Sequence, residues 1–179
     1  MRDAVRAGRQ VSRLLSRLAA DYGRVEVVSR RWECDPAERD AIAGTVSAFD
    51  RAGGASALVR NDEGCLLLVR YAGASGWADP GANVEPDEDY ETCARRAVGA
   101  AVGLDVTITG VAQVHVRHAD DWTDRETVAE PTVIFEAELA EGSGTSAELG
   151  PGVDAARWCD APPGDLLYDE LAEFFYSNN

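Results

Sequence analysis

The stretch from residue 55 to residue 104 constrains the fold most, because three different local signals follow one another there. Two apolar runs, 55–60 and 65–71, flank the turn sequence Asn61-Asp62-Glu63-Gly64 and predict a β-hairpin. A loop rich in glycine and proline covers 72–86. An alanine-rich segment then predicts a helix from about Tyr90 to Val102 that ends at Gly103. The chain therefore contains a hairpin, a long loop and a helix in that order.

The remainder of the chain adds strands around this unit. Apolar runs predict strands at 106–116, 132–139 and 154–158, and a last helix over 165–175 follows Pro162-Pro163-Gly164. One helix inserted between strand pairs is typical of an α+β fold. We therefore predict a 55–179 domain of this class, preceded by a 1–54 N-terminal extension.

The N-terminal extension begins with an amphipathic pattern. The apolar residues Val11, Leu14, Leu15 and Leu18 recur at helical spacing, with arginines at 6, 9, 13 and 17 beside them and Gly23 as a stop signal. This helix could dock on an acidic partner, but folding onto the chain's own acidic body is the favoured interpretation.

Two further elements complete the extension. A short strand is predicted at Val25 and Val27. Asp35-Pro36 then supplies an N-cap and a first helical residue for a helix that runs to about Arg51 and closes at Gly53-Gly54.

The charge balance limits the partners that the chain can have. Asp and Glu number 32 against 17 basic residues, all of them arginine, for a net charge of −15. Such a surface repels phosphate backbones, so we expect no nucleic-acid partner. The composition is typical of a halophilic protein with an acidic surface, since molar salt shortens the Debye length to about 3 Å. An acidic protein from an ordinary cytoplasm is the alternative.

Nothing in the sequence resembles a membrane segment. No apolar stretch approaches the roughly 20 residues that a membrane helix needs, and no apolar region follows the charged residues at the amino terminus. We expect no membrane partner and a cytoplasmic location.

Outside residues 55–104, a few residues are candidates for metal or ligand binding, but none of them forms a recognisable motif. Four cysteines lack C-x-x-C spacing, so we expect small buried side chains rather than a zinc ribbon or a disulfide framework. His115 and His118 lie three apart on a strand and point to opposite faces. Acidic residues at 120, 121, 124 and 126 could supply metal ligands, although a solvated loop is favoured. Trp122 and Trp158 could stack on a base, although packing is favoured.

The sequence 76–104 carries the most specific motif, GWADPGANVEPDEDYETCARRAVGAAVGL. It resembles the box of the Nudix hydrolase family, G-x5-E-x7-R-E-U-x-E-E-x-G-U, where U is apolar. The best register places Ala82 on the first glycine, Glu88 on the first glutamate, Arg96 on the arginine and Gly103-Leu104 on the closing pair. The resemblance implies a Nudix-type mixed β-sheet sandwiched between helices, with a helical N-terminal extension.

The flanking sequence is similar to the family as well. The run Leu66-Leu67-Leu68-Val69-Arg70, followed by Trp77 and Pro80-Gly81, is similar to the strand and loop that lead into the box. Arg157-Trp158 before a proline-containing loop and a final helix is similar to the usual ending. By this resemblance we expect Arg70 and Trp77 to be substrate-binding residues.

The same resemblance exposes a loss. In the family, three helix glutamates and the first glutamate hold divalent cations against a diphosphate, and the metal assists hydrolysis. The three helix positions here are Ala97, Ala100 and Ala101, whose methyl groups cannot ligate a metal. Glu88 and Arg96 remain as catalytic candidates, and Glu85 with Glu88 could form a weak metal site. For Glu88, however, the favoured interpretation is a first-turn carboxylate stabilised by the helix dipole rather than a metal ligand.

Other departures from the box accompany this loss. Asp79 replaces an apolar residue before Pro-Gly, and Ala82 replaces a glycine. Together with Gly99, the alanines form a smooth apolar face that needs a cover. We expect that cover to be another element, either the N-terminal helix or a second subunit, and this leaves a homodimer open.

The resemblance implies a Nudix hydrolase, nominally a pyrophosphohydrolase of a nucleoside diphosphate derivative such as an ADP-ribose-like compound or a nucleotide sugar. Its cofactor would be Mg²⁺, with Mn²⁺ as the alternative, and its activity is expected to be impaired or lost. The alternative is a non-catalytic Nudix-fold module that binds a nucleotide-like small molecule or a protein partner. A purely structural, dimerising protein is a third class.

Overall fold

The computed structural model describes residues 2–49, 52–121 and 127–177. Its helices and strands confirm the α+β class and the order of the main elements. The helices are α1 (Arg2–Tyr22), α2 (Pro36–Phe49) and α3 (Tyr90–Val102), with a 3-10 helix at Asp169–Phe175. The strands are β1 (Val27–Glu33), β2 (Gly54–Arg60), β3 (Leu66–Tyr71), β4 (Gly81–Asn83), β5 (Val106–Asp120), β6 (Val128–Leu139) and β7 (Val153–Cys159).

The strands form a mixed sheet in the order β1-β5-β6-β2-β3-β7, with β4 paired to β2. The β1–β5 pair is parallel and places Val27 opposite Val114. The β2–β3 and β3–β7 pairs are antiparallel, and the latter places Leu68 opposite Arg157. This sheet of parallel and antiparallel strands confirms the mixed sheet that the Nudix resemblance implied.

The chain divides into two compact units, each assembled from separate stretches of sequence. The first comprises Met1–Ala55, Asn83–Tyr90 and Val111–Ile134. The second comprises Ser56–Ala82, Glu91–Gly110 and Phe135–Asn179. The 1–54 and 55–179 domain boundaries remain a sequence-based prediction.

In the first unit, α1 packs against α2 through its apolar face. Ala7, Val11, Leu14 and Leu18 are buried, whereas the arginines at 6, 9, 13 and 17 are exposed. The Asp35 carboxylate accepts a hydrogen bond of 2.8 Å from the Glu38 backbone N–H, as an N-cap does. Both helices were predicted from these local signals.

In the second unit, side-chain chemistry fixes the β2–β3 hairpin. The Asn61 side-chain oxygen accepts hydrogen bonds from the backbone N–H groups of Glu63 and Cys65, at 3.1 and 2.9 Å. The apolar run 66–69 on β3 is fully buried. Hairpin and core strand are therefore specified by adjacent stretches of sequence.

The C-terminal end of α3 is covered by a loop of the same unit. The backbone N–H groups of Glu148 and Gly150 donate to the carbonyls of Val102 and Ala101, at 2.8 and 2.9 Å. Gly103 adopts a φ of +69°, which favours glycine after a helix. The last carbonyls of α3, which have no partner within the helix, thus accept hydrogen bonds from this loop.

Several boundaries differ from the sequence predictions. The 72–86 loop contains the short strand β4, and the final helix begins only at Asp169. Strand β1 extends to Glu33 and β5 to Asp120, because their parallel pairing continues through that last pair. Long-range pairing of this kind leaves no local signal.

The polar segment after β5 also differs from its prediction. Asp120 and Asp121 are buried, so the solvated-loop interpretation is wrong for these two residues. The Arg31 guanidinium lies 3.3 Å from the Asp120 carboxylate and offsets its charge. The candidates Trp122, Asp124 and Glu126 lie outside the described residues.

The four cysteines are free, and Cys93 and Cys159 are buried while Cys34 and Cys65 are half-buried. In the part of the chain that the structure describes, no helix combines the length and the apolar character needed to cross a membrane.

Gly150 provides a test of the loop that covers α3. A Cβ atom at this position would overlap the Ala100 carbonyl oxygen, whereas one at Gly164 would meet no atom within 4 Å. We expect Gly150→Ala to lower the free energy of unfolding by about 1–3 kcal/mol, because the backbone must move. Gly164→Ala is the control and should change it little. Equal urea midpoints for the two variants would contradict this close approach.

Candidate functional site

Glu85 and Glu88, the two carboxylates proposed as a weak metal site, belong to one turn of the first unit. A Glu88 carboxylate oxygen accepts a hydrogen bond of 3.0 Å from the Glu85 backbone N–H. The Glu88 N–H donates in turn to the Glu85 carbonyl at 3.2 Å. Asp87 between them has a φ of +63°, so the turn is tight. The Glu88 side chain therefore has a structural role in closing this turn.

The three alanines at the box positions lie on α3 in the second unit. Ala97 and Ala101 are each 3% exposed, whereas Ala100 is exposed. Ala94, on the same helix, is fully buried. Ala97 and Ala101 therefore do not line an open, hydrated cleft, which would have contradicted the prediction of a covered face. The side of α3 that carries Ala94, Ala97 and Ala101 is a packing surface, but the cover expected for the whole face does not extend to Ala100.

Arg96 contacts a residue of its own helix. Its guanidinium donates a hydrogen bond to the Cys93 sulfur at 3.6 Å. That sulfur donates to the Ala82 carbonyl at 3.3 Å. Among its interactions, Arg96 thus supports the link between α3 and the strand that precedes it.

Divalent cations prefer several oxygen ligands at one site. Within residues 2–49, 52–121 and 127–177, no three His, Cys, Asp or Glu side chains converge as a metal site would require. His115 lies 2.6 Å from the Gln113 side-chain oxygen, and His118 lies 3.4 Å from the Ser29 hydroxyl. Burial, and secondarily Arg30, lowers the pKa of His115. A Mg²⁺ site of the family's type does not fit these residues.

Arg70 and Trp77, the predicted substrate-binding residues, lie together in the second unit. The Arg70 guanidinium carbon is 4.7 Å from the centre of the Trp77 ring. Arg157, which the sequence analysis did not select, lies 4.2 Å from the same ring centre. Arg70 also forms an ion pair with Asp165. We refer to Arg70, Trp77, Arg157 and Asp165 as the arginine cluster.

The register of β3 and β7 explains how this cluster forms. Arg70 pairs with Ala155, and Leu68 pairs with Arg157. Alternate residues share a face of a sheet, so the two arginines project from the same face as diagonal neighbours. The alternation of side chains along a strand, combined with the β3–β7 pairing, places Arg157 beside Arg70. The sequence shows the alternation but not the pairing.

The backbone next to Trp77 is fastened to the C-terminal segment. The Trp77 N–H donates to the Asp165 carbonyl, and the Leu167 N–H donates to the Trp77 carbonyl, both at 2.8 Å. A Cβ atom at Gly76 would lie 2.7 Å from the Asp165 carbonyl oxygen, so the approach requires glycine. Asp165 is thereby held beside Arg70.

Asp79 is a buried acid that the sequence analysis noted only as a departure from the box. The Tyr168 hydroxyl donates to one of its oxygens at 2.7 Å. Its other oxygen has no hydrogen-bond partner. Burial raises the pKa of Asp79, and hydrogen bonding, including that from Tyr168, opposes this rise. Burial, and then the charge of Asp79, raises the pKa of Tyr168.

Comparison with known proteins agrees with this fold. The sequence model of the NUDIX domain matches residues 50–173. The structure of the MutT protein from Methanosarcina mazei Go1 superimposes with a TM-score of 0.53 at 20% identity, covering 70% of this chain and 91% of that one. A NUDIX hydrolase from Nitrosomonas europaea gives a TM-score of 0.57 at 17% identity, covering 72% of each chain.

These similarities define an α+β protein with the fold of the Nudix hydrolases. The chain belongs to the NUDIX domain family, since the family's sequence model covers more than half of it. A search of curated proteins finds no match.

The buried carboxyl of Asp79 predicts a pH dependence of stability. Its pKa in the folded protein exceeds the ordinary value of 3.8, so the folded state binds the proton more tightly. Stability from this group is therefore greatest in acid and declines as the pH rises from about 3.8 through the raised value. Asp79→Asn cannot ionise, so we expect its loss of stability relative to wild type to shrink with rising pH.

Thermal or urea unfolding between pH 4 and pH 8 measures this difference. Tyr168→Phe is the companion variant, because it removes a donor that favours the ionised carboxylate. Its loss of stability should grow with rising pH. A difference between wild type and the Asp79→Asn variant that stays constant across this range would show that Asp79 does not titrate there.

Proposed function

We propose that this protein binds nucleoside diphosphate derivatives through its Nudix domain and has lost most or all of the metal-dependent hydrolysis of such compounds. ADP-ribose-like molecules and nucleotide sugars are the proposed ligand class. The observation that carries the proposal is the burial of Ala97 and Ala101, at positions where the family has metal-binding glutamates.

Metal-dependent hydrolysis requires oxygen ligands that hold the cation. Mg²⁺ retains a near-octahedral shell of oxygens and is held in proteins through carboxylates and substrate phosphates. Methyl groups at 97, 100 and 101 offer no oxygen. Because Ala97 and Ala101 are buried, neither water nor a neighbouring exposed carboxylate can readily take their place.

Glu85 and Glu88 are the remaining candidates for residual activity. Both belong to one turn, in which the Glu88 carboxylate accepts from the Glu85 backbone. A weak Mg²⁺ or Mn²⁺ site there would have to compete with this hydrogen bond. Residual hydrolysis, with Glu88 and Arg96 as its catalytic residues, is therefore the alternative to complete loss.

The argument for retained binding rests on the arginine cluster. Guanidinium groups form charge-assisted, often paired hydrogen bonds with phosphate oxygens. Arg70 and Arg157 both lie against Trp77, so two cations are concentrated on one face of an otherwise acidic protein. This local positive charge supports binding of a negatively charged, nucleotide-like ligand, with Arg70 and Trp77 as its binding residues.

A protein partner or a homodimer is the competing proposal for the same chain. The exposed arginines on α1 would suit an acidic protein surface, including that of a second copy. The two classes differ in what stabilises the protein. A small ligand stabilises the protein by an amount that grows with the logarithm of its concentration relative to its Kd, whereas self-association makes the melting temperature depend on protein concentration.

A turnover assay tests the proposal directly. Phosphate and nucleotide release would be measured from ADP-ribose, nucleotide sugars and dinucleoside polyphosphates in molar KCl, with Mg²⁺ and then Mn²⁺. We expect no turnover above a metal-free control, together with a rise in melting temperature for at least one compound. Metal-dependent turnover that Glu88→Gln abolishes would instead establish a functional site built around Glu88.

Glutamate substitutions test whether α3 can still accommodate the family's ligands. Ala97→Glu would bury a carboxylate in an apolar site, which costs several kcal/mol unless the group is neutralised or paired. Ala100→Glu is the matched control, because that position is exposed. We expect the first to lower the melting temperature sharply, the second to change it little, and neither to create turnover.

Equal melting temperatures for the two glutamate variants would contradict a packing role for Ala97. Turnover in Ala97→Glu would show that the domain still has room for a cation and lacks only the glutamate ligand at position 97.

A further inference from the structure

We propose that Arg70, Trp77 and Arg157 form an oxyanion-binding site in which the Asp165 carboxylate is the internal occupant. A phosphate-bearing ligand would then bind by displacing the Asp165 side chain from Arg70. The inference rests on the proposed function for the identity of the ligand, and it adds an internal competitor and a second arginine.

The first argument is the convergence of two cations. Arg70 and Arg157 are 4.7 and 4.2 Å from one ring centre, so their guanidinium carbons are separated by no more than the sum of these distances. Both project from one face of the β3–β7 pair. Two like charges this close repel each other, and an anion that binds to both guanidinium groups relieves that repulsion.

The second argument is an incomplete set of partners. The Nε atom of Arg70 is buried and has no hydrogen-bond partner, although its Nη2 pairs with Asp165. The Arg157 guanidinium lies against the Trp77 ring, which supplies no hydrogen-bond acceptor of the strength of a carboxylate. A single carboxylate from Asp165 leaves the cluster with a net positive charge. A phosphate, with more oxygens and more charge, fits this donor set better than one carboxylate does.

The third argument is that Asp165 can leave without unfolding the segment around it. Its side chain is 52% exposed and that of Arg70 is 34% exposed, so the ion pair is screened by water and weak. The main chain of the segment is held separately by the two hydrogen bonds with Trp77. Tyr168, bonded to Asp79, fastens the segment at a further point. Displacement therefore needs only a change of the Asp165 side-chain rotamer.

The geometry also assigns different roles to the residues involved. Arg70 and Arg157 supply the donors, and Trp77, only 8% exposed, holds both guanidinium groups in place by its ring. Trp77 is therefore also a positioning residue for the two arginines at this site. An anion binds to Arg70 only if its interaction with the guanidinium is stronger than that of the Asp165 carboxylate.

Titration calorimetry with inorganic pyrophosphate and with ADP, in molar KCl without divalent metal, tests this site. Asp165→Asn removes the internal competitor, so we expect both probes to bind about 3- to 10-fold more tightly. Arg157→Gln removes a donor, and we expect binding at least 10-fold weaker. Asp160→Asn is the matched control, because it removes one exposed negative charge next to Cys159 and leaves the Asp165 carboxylate in place.

The unfolding midpoint of each variant confirms that it is folded before titration. An equal increase in affinity for the two probes in Asp165→Asn and Asp160→Asn would show that only the net charge matters. That result would overturn the role of Asp165 as a competitor. Unchanged affinity in Arg157→Gln, with both probes still bound, would place the anion elsewhere and leave the proposed function standing. If no nucleoside diphosphate derivative binds any variant, the proposed function fails together with this inference.

Discussion

The close packing of α3 is the constraint on which the rest of the account depends. Seven of its residues are buried: Tyr90, Cys93, Ala94, Ala97, Val98, Ala101 and Val102. At about 100° per residue these positions span about half of the helix circumference, rather than a narrow stripe. Small side chains at 94, 97 and 101 permit neighbouring atoms to approach closely, and an ionised carboxylate there would be costly. These positions form a packed face, and we propose that the helix has exchanged the family's charged face for it.

This exchange changes what the fold can do chemically. Alanines at 97, 100 and 101 supply none of the oxygen ligands that a divalent cation requires, which leaves Glu85 and Glu88 as the proposed candidates. The arginine cluster remains, and it can bind an anion through charge alone. Its acid, Asp165, and the neighbouring Asp79–Tyr168 pair belong to the contacts that hold the C-terminal segment to the loop before β4. The proposed ligand site and the contacts that anchor the C-terminal segment thus use adjacent residues.

Local signals in the sequence predicted the elements around α3 well. Asp35 as an N-cap, Asn61 in the hairpin turn and Gly103 after α3 act within a few residues, and the structure shows each in that role. Features that depend on distant pairing were not predictable. Burial of Asp120 follows the parallel pairing of β1 with β5, and the position of Arg157 follows the β3–β7 register. The partner of Asp79 likewise lies 89 residues away.

The most direct test of the central claim is Mn²⁺ binding, followed by electron paramagnetic resonance of the free ion in molar KCl. The account predicts no stoichiometric site at micromolar Mn²⁺, in the presence or absence of ADP-ribose, because α3 offers packed methyl groups where ligands would be needed. One Mn²⁺ bound per chain, and lost in Glu88→Gln, would contradict it and restore a metal centre to this domain.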